Sequence, residues 1–446
     1  MVQERIQSID ALRGITIIGM IFCAAIGYGS GLPAWMFHCQ VPPPDYTFHP
    51  EVRGISWVDL VFPFFIFSMG AAFPFALKKK TEAGRTVIPG ILRRWITLVL
   101  FALAIGNAEA SHGSGAPDWM ILVFNLAVWG GFFAVLVRTG KKWINLAGVL
   151  ILAALFIAER FVMKANLSLD TSDIIIMILS TVALTGSLVW LLTKDNIKLR
   201  WLIWGVILAL KAVDSYTDLL KWANLPHPVD YIISPDWIQY LLIAIPASVV
   251  GDLLLKGNRP ACNDREHKIA PWMIAVATLL LQLVTLYIRK VSVDIPMTIL
   301  LMAAYLGLTN KGHGTGNEVA YIGYALLLLG IFFDPLDGGI AKDNCNITYL
   351  LVSGGMAAIA ASLFIDAEAC GRSFGFLGKC GQNPMIAYTI VWFVIEPLLY
   401  AVGIMGFVDG LADGSVVWGL LRGVFLTALM CLSTNLFTKH NLFWRT

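Results

Sequence analysis

Long apolar runs recur along the whole chain, and they constrain its fold more than any other feature of the sequence. Many of these runs are close to the roughly 20 residues that an α-helix needs to cross the hydrocarbon core of a bilayer. The best count is fourteen, with cores near residues 15–32, 57–77, 91–107, 119–137, 143–158, 173–193, 200–213, 237–255, 271–288, 294–309, 318–333, 347–365, 383–404 and 415–436. The fifth and seventh runs are short and can instead be re-entrant or interfacial, so twelve spans remain an alternative.

The composition agrees with a membrane-embedded chain. Apolar residues make up 58% of the 446 residues and charged residues only 14%, whereas a typical soluble domain carries about 25% charged residues. The runs are too long and too dense for a transmembrane β-barrel, whose strands alternate apolar and polar residues. The sequence therefore predicts an all-α, polytopic integral membrane helix bundle of 12–14 transmembrane helices, forming a single domain over residues 1–446.

Lys and Arg residues are distributed unevenly between the two sides of this bundle. If the chain starts in the cytoplasm, 23 of the 32 fall in inner segments, 8 in outer segments and one, Arg422, inside a span. Cytoplasmic segments carry an excess of these residues. We therefore expect both termini in the cytoplasm and, in a bacterium, location in the inner membrane. The outer segments long enough to build a site are then residues 33–54, 214–236 and 334–346.

The first outer segment leads into an apolar helix that begins with an isolated carboxylate. His49 lies in the polar stretch ahead of this helix, and Asp59 lies near its start. Histidine is the side chain best suited to moving protons near neutral pH, and an ionisable group at membrane depth is usually functional. We expect His49 to be a catalytic base or transient acyl carrier that Asp59 orients, with Glu51 as the rival base. Alternatively, His49 is a surface residue and Asp59 only complements the helix dipole.

Several motifs resemble those of the heparan-α-glucosaminide N-acetyltransferase family and its bacterial relatives. They lie at residues 8–14, 49–70, 91–94, 333–342 and 381–388. The family's active-site histidine corresponds to His49, and this chain has Ala24 where an Asn is expected near the outer end of the first span. Residues 120–310 carry no motif of this family.

The resemblance implies a transmembrane acetyltransferase. Such an enzyme takes acetyl from cytoplasmic acetyl-CoA and delivers it to an amine, or in relatives a hydroxyl, of a sugar on the far side of the membrane. The implied partners are an amino sugar or glycan acceptor and membrane lipid, with a homodimer left open and neither a metal nor a nucleic acid expected. The predicted acceptor-binding residues, all within these motifs, are Asp10, Glu51, Trp57 and Lys342.

Basic residues on the cytoplasmic side are the candidates for donor binding. Arg13 follows Asp10 by three residues, a spacing at which the two side chains meet on one helix face. Arg93 and Arg94, together with the three lysines at 78–80, form the densest basic patch facing the cytoplasm, which would attract the phosphates of coenzyme A. Asn383 precedes a helix start that can bind an anion. Alternatively, Arg13 is an interfacial anchor, and the basic patch only sets the topology.

A secondary transporter of a sugar or organic anion is the alternative function. Transporters commonly contain internal repeats and paired broken helices, and the motifs at residues 8–14 and 49–70 have no copy in the second half of the chain. This favours the enzyme. Of the seven cysteines, only Cys39 and Cys345 fall in outer segments. They either pair there or remain two separate thiols.

The charge distribution gives a testable topology. A reporter that is active only outside the cytoplasm should be silent when fused after Thr446 and active when inserted near Asp45. Alkaline phosphatase fusions would measure this. The opposite pattern would contradict both the orientation and the assignment of the outer segments.

Overall fold

The computed structural model describes residues 6–109, 117–137, 141–164, 167–217, 229–232, 234–257, 266–310, 314–343 and 345–444. Within these ranges the chain is helical and contains no β-strand, although one isolated antiparallel bridge joins Val137 to Trp444. The predicted all-α bundle is thus confirmed. Most of the outer segment 214–236, namely residues 218–228 and 233, lies outside the described residues.

The helices follow one another along the chain, and the long connection of residues 26–60 joins the first to the second. They are α1 (Gln7–Ala25), α2 (Val61–Glu82), α3 (Ile88–Glu109), α4 (Asp118–Leu136), α5 (Lys142–Phe161), α6 (Ile174–Thr193), α7 (Ile197–Thr217), α8 (Leu241–Lys256), α9 (Glu266–Tyr287), α10 (Val291–Thr309), α11 (Thr315–Phe333), α12 (Ile347–Ala369), α13 (Gly375–Gln382), α14 (Pro384–Ile390), α15 (Glu396–Ala401), α16 (Ile404–Ala412) and α17 (Val416–Lys439). Short 3₁₀ turns at Trp57–Leu60 and Pro235–Tyr240 lead into α2 and α8, and a π-helical segment, Val391–Ile395, joins α14 to α15.

Thirteen spans in the described ranges are long and apolar enough to cross a membrane. Helix α7 is not among them, because charged residues interrupt its apolar sequence. It nevertheless runs antiparallel to α8: Arg200 pairs with Asp252 at 2.6 Å, and Trp204 donates a hydrogen bond to the carbonyl of Leu242 at 3.0 Å. The described ranges therefore hold thirteen candidate spans, within the predicted range of 12–14 and one fewer than the best count from the sequence.

The start of α1 and the end of α17 lie at the same end of the bundle. The backbone N–H of Gln7 donates to Glu368 at the end of α12 (3.1 Å), and the hydroxyl of Thr438 in α17 donates to the carbonyl of Lys379 in α13 (3.1 Å). This end carries the segments that are richest in Lys and Arg. We call it the inner end, as the charge distribution predicts.

At the opposite, outer end, two irregular segments are tied together. The N–H of Gly54 donates to the carbonyl of Ile340 at 2.8 Å, which joins residues 33–54 to residues 334–346. Arg289 holds Asp334 through two hydrogen bonds of 2.9 and 2.8 Å. Tyr28, Phe37 and Tyr46 pack as a ring cluster with centroids 5.1–5.2 Å apart. The outer segments therefore form a fixed cover over the helix ends.

Helix α1 packs so closely on α13 that only glycine fits at their crossing. A Cβ on Gly14 would overlap the carbonyl oxygen of Leu377, and a Cβ on Gly381 would overlap that of Asp10. Two backbones can approach this closely because glycine has no side chain. The motifs at residues 8–14 and 381–388 are thereby brought together at the inner end of the bundle.

Candidate functional site

An outer cavity of about 810 Å³ opens beneath the outer segments. Its wall includes the start of α2, the outer half of α1, the start of α6, the outer part of α7, the 3₁₀ turn before α8, and Lys342, Asp343 and Cys345. The polar side chains of the lining are Cys23, His38, Asp59, Lys211, Asp236, Gln239, Tyr240, Lys342, Asp343, Cys345, Tyr349 and Tyr388. Ala24, which stands where an Asn was expected, is also part of this wall.

A histidine–carboxylate pair occupies this cavity, and the histidine is His38. Its Nδ1 lies 2.7 Å from Oδ1 of Asp59. Because an ionised carboxylate can only accept, Nδ1 must carry the proton of this hydrogen bond. In the neutral ring, Nε2 then keeps its lone pair and can accept a proton. About a third of the His38 side chain is exposed, whereas Asp59 is 1% exposed.

Local structure fixes Asp59. Its carboxylate and the side chain of Ser56 form a reciprocal capping box at the turn that leads into α2. Oδ2 of Asp59 accepts from the backbone N–H of Ser56 at 2.9 Å and from that of Cys39 at 3.2 Å. The hydroxyl of Tyr349 donates to the Asp59 carbonyl at 2.7 Å. The sequence places a cap at this helix start, and that cap also orients His38.

Lys342 completes the group of charges around His38. Its Nζ lies 3.3 Å from Nδ1 of His38 and 3.8 Å from Oδ1 of Asp343. Since Nδ1 donates to Asp59, it has no lone pair for Lys342. The ammonium group of Lys342 therefore interacts with the His38–Asp59 pair through its positive charge, next to the buried carboxylate of Asp59. Of the four predicted acceptor-binding residues, only Lys342 lines the outer cavity.

His49 lies elsewhere, and the predicted contact between His49 and Asp59 is not formed. Its Nε2 is 3.0 Å from Asp45, and its Nδ1 is 3.2 Å from Glu51. Both oxygens of Asp59 are already engaged by groups of residues 38, 39 and 56. His49 is not part of the cavity lining, and its two carboxylate partners are exposed on the outer segment.

The two outer cysteines are free thiols that are poorly suited to act as nucleophiles. Neither Cys39 nor Cys345 forms a disulfide. Burial, reinforced by the charge of Asp59, raises the pKa of Cys39 to about 11, and burial raises the pKa of Cys345 to about 11. The reactive form of cysteine is the thiolate, so both stay protonated near neutral pH.

An inner cavity of about 330 Å³ lies directly below the outer one. Its lining is Arg13, Ile17, Met20, Phe65, Met69, Ala72, Arg94, Leu98, Ile175, Ile176, Leu179, Pro384, Met385, Tyr388 and Trp444. The two cavities share three lining residues, Met20, Ile175 and Tyr388. Along α1, the combined lining extends about 16 Å, from Arg13 in the inner cavity to Ala24 in the outer one. The cavities are therefore stacked across the membrane.

Only two of the four predicted donor-binding residues line the inner cavity. Arg13 and Arg94 line the inner cavity, and Arg13 also pairs with Asp10 at 3.3 Å. Arg93 is exposed and is not part of the lining. Asn383 is buried: its amide donates to the carbonyl of Leu442 at 2.7 Å and accepts from the N–H of Trp444 at 3.2 Å. Its contacts are those of a residue that shapes the cavity wall.

The remaining predicted acceptor-binding residues do not reach the outer cavity. Asp10 is at the inner end of α1, on the other side of the bundle from it, which leaves its predicted acceptor contact without support. Trp57 packs against Phe22 beneath the outer segment, with ring centroids 6.1 Å apart. Glu51 contacts His49 on the exposed surface. Motif position alone predicted these three residues, and none of them lines the outer cavity.

Sequence reasoning missed His38, Tyr349 and Trp444. His38 lies 21 residues before Asp59 in an irregular segment, and no regular spacing relates the two. The only available signal was that the segment holds two histidines. Trp444 enters the inner cavity only because the chain turns back after α17.

Fold and site together define a polytopic helical membrane protein with an outer histidine–carboxylate site stacked over an inner cavity that two arginines line. Residues 5–254 match the family described as a domain of unknown function, DUF5009, and the chain belongs to this family. A segment of 116 residues is 27% identical to the heparan-alpha-glucosaminide N-acetyltransferase of Homo sapiens. This segment covers 26% of the chain and only 15% of that relative, so it supports a distant relationship.

The contacts of His49 predict its titration. Hydrogen bonds to Asp45, and to a smaller extent to Glu51, raise the pKa of His49 above 6.5. In turn, hydrogen bonds from the hydroxyl of Thr47 and from the ring of His49 lower the pKa of Asp45 to about 2. These contacts therefore stabilise the folded protein below pH 6.5, and this contribution is lost as the pH rises through the raised pKa of His49. NMR titration should place the midpoint of His49 above 6.5, and Asp45→Asn should lower it more than Glu51→Gln does. A wild-type midpoint at or below 6.5 would contradict these contacts.

Proposed function

We propose that this protein is a transmembrane acetyltransferase that moves acetyl from cytoplasmic acetyl-CoA to an amine or hydroxyl of a sugar on the outer side. The observation that carries the proposal is the stacking of the two cavities. A histidine oriented by a buried carboxylate faces the outer one, and two arginines line the inner one. The relative's printed activity, N-acetyl transfer to a glucosaminide, supports the reaction class and the acceptor class.

His38 is the group we propose as the base. The acceptor nitrogen or oxygen attacks the thioester carbonyl while Nε2 of His38 takes its proton, and Asp59 stabilises the resulting imidazolium. The carbon–sulfur bond then breaks, and the proton passes from His38 to the leaving thiolate, so that the base is restored. Lys342, beside the ring, is positioned to stabilise the negative oxygen of the tetrahedral intermediate. A transient acetyl-His38 is the two-step version of the same chemistry.

The inner cavity suits the donor. Coenzyme A is anionic, and Arg13 and Arg94 supply positive charge at the cytoplasmic side of the cavity. The methionine, leucine and isoleucine side chains beyond them provide an apolar passage for the thioester arm. The donor would thus reach the shared wall of the two cavities from below, while the acceptor enters from above.

The outer cavity suits a polar acceptor. Trp237 and Tyr240 supply aromatic faces, and Asp236, Gln239 and Asp343 supply hydrogen-bonding groups around them. Sugars are commonly bound by such a combination, since their rings present both apolar faces and hydroxyl edges. We propose a bacterial inner membrane as the location, in which case this cavity faces the periplasm.

His49 remains the rival base, because its position in the motif 49–70 corresponds to the family's active-site histidine. The geometry predicts His38 as the base and the resemblance predicts His49, so variants of the two histidines distinguish these predictions. His38→Ala should reduce acetyl transfer by about 10²–10⁴-fold, the usual contribution of a general base, while His49→Ala should keep most of the activity. Transfer from radiolabelled acetyl-CoA to a panel of amino sugars measures both variants.

Asp59→Asn serves as the companion variant, since it keeps the size of the side chain but removes the charge that orients the His38 ring. It should lower the rate less than His38→Ala does, because a group that orients a base costs less to remove than the base itself. A folded His38→Ala protein with near-native activity, together with an inactive His49→Ala protein, would reassign the base to His49.

The arginines provide a matched test of the donor site. Arg94→Gln should weaken binding of acetyl-CoA about tenfold, as expected for the loss of a charge-assisted hydrogen bond, whereas Arg93→Gln should change it by less than about twofold, since Arg93 is exposed and outside the cavity. The residual binding of Arg94→Gln should also be less sensitive to salt. Isothermal titration calorimetry at two ionic strengths would measure this. Equal losses in both variants would place the donor outside the inner cavity.

The alternative function is a secondary transporter, and stacked cavities separated by a thin partition also suit alternating access. Proteoliposomes separate the two functions. An acetyltransferase modifies an enclosed amino sugar when acetyl-CoA is added on the cytoplasmic side and takes up no sugar. A transporter takes up sugar without acetyl-CoA and leaves it unmodified.

A further inference from the structure

The chain turns back after α17 and closes part of the inner cavity. Asn441 adopts a left-handed conformation with φ of 59°, and the N–H of Leu442 donates to the carbonyl of Phe437 at 2.9 Å. The side-chain amide of Asn383 then holds residues 442–444 by two hydrogen bonds, one from its N–H group and one to its oxygen. Residues 441–444, which we call the return segment, are therefore anchored to the bundle at several points.

The return segment places one large side chain in the cavity wall. Trp444 is 5% exposed and packs among the rings of Phe101, Trp129, Phe132 and Phe133, with centroid distances of 5.3–6.4 Å. It lines the inner cavity together with Arg94. Both residues reach this lining from different parts of the chain, at the start of α3 and beyond α17.

Two hydrogen-bond donors in this lining have no partner. Nε1 of Trp444 and Nε of Arg94 are both buried, and neither makes a hydrogen bond to any residue that the structure describes. A buried N–H without an acceptor is costly, and such groups in native proteins require an explanation. The neighbouring Trp129 shows the ordinary arrangement, since its N–H donates to the hydroxyl of Thr389 at 3.1 Å. Both residues line the inner cavity, and a ligand bound there is the group that we expect to supply the missing acceptors.

We propose that Trp444 and Arg94 donate hydrogen bonds to the amide carbonyl oxygens of the donor's pantetheine arm, which makes the return segment part of the donor site. This inference rests on the proposed function. An amide carbonyl fits better than a phosphate, because most of the surrounding lining is apolar and would solvate a dianion poorly. Trp444 lies beyond residues 5–254, the part of the chain that matches the family.

The test compares Trp444→Phe with Trp129→Phe in the full-length protein. Both substitutions remove an indole from the same aromatic cluster, but only Trp444 has its N–H free for a ligand. Trp444→Phe should weaken binding of acetyl-CoA about fivefold, the usual size for a neutral hydrogen bond, and the loss should be the same at low and high salt. Trp129→Phe should leave the affinity within about twofold. Calorimetry with acetyl-CoA, and with pantetheine as a competitor, gives these values.

Thermal unfolding without ligand provides the second measurement. Both substitutions leave a smaller ring in the cluster and cost some packing, but only Trp129→Phe also removes a formed hydrogen bond, so it should lower the melting temperature more than Trp444→Phe does. Unchanged affinity in a folded Trp444→Phe protein would overturn this inference and leave the proposed function intact. A wild-type protein that binds no acetyl-CoA would overturn both.

Discussion

The outer half of the structure depends on how one buried carboxylate is compensated. Taking an ionised carboxylate out of water costs several kcal/mol unless hydrogen bonds and opposite charge offset it. Asp59 is held by His38, by the backbone N–H groups of Ser56 and Cys39, and by the nearby ammonium of Lys342. These four partners come from three segments, so the same compensation starts α2, folds residues 33–54 inward and holds Lys342 beside the cavity. The position of the histidine ring is a consequence of that network.

The two cavities follow one another along α1 and α2, which contribute to the lining of both. Arg13 and Arg94 line the inner cavity, and His38 and Asp59 line the outer one. In the proposed reaction, donor and acceptor are thereby kept on opposite sides of a short apolar wall, and only the reacting atoms need to meet. Such an arrangement would limit hydrolysis of the donor, since its thioester would be exposed to few water molecules before the acceptor arrives.

The sequence was sufficient for features that depend on local pattern. Apolar run length predicted the spans, and the carboxylate at a helix start indicated that Asp59 orients a histidine. The basic residues Arg13 and Arg94 were predicted on the cytoplasmic side for the donor, and both line the inner cavity; their role stays a prediction. The sequence did not predict the path of the segments with irregular backbone. Residues 33–54 contain two histidines, and which one meets Asp59 depends on how the segment crosses the helix ends. Trp444 was beyond prediction for the same reason, because its position requires a reversal after α17.

The wall shared by the two cavities also has an electrical consequence. Both cavities share the lining residues Met20, Ile175 and Tyr388, so the layer between them is thin. In a bilayer, with water in both cavities, a large part of the membrane voltage would fall across this layer. Moving one elementary charge through it costs about 2.3 kcal/mol for each 100 mV. A neutral acetyl group crosses such a layer without electrical work, whereas the anionic nucleotide part of its carrier does not. In the proposed reaction the partition would therefore act as an electrical insulator: a neutral acyl group would pass it, while the ion gradient that a cell maintains would stay intact.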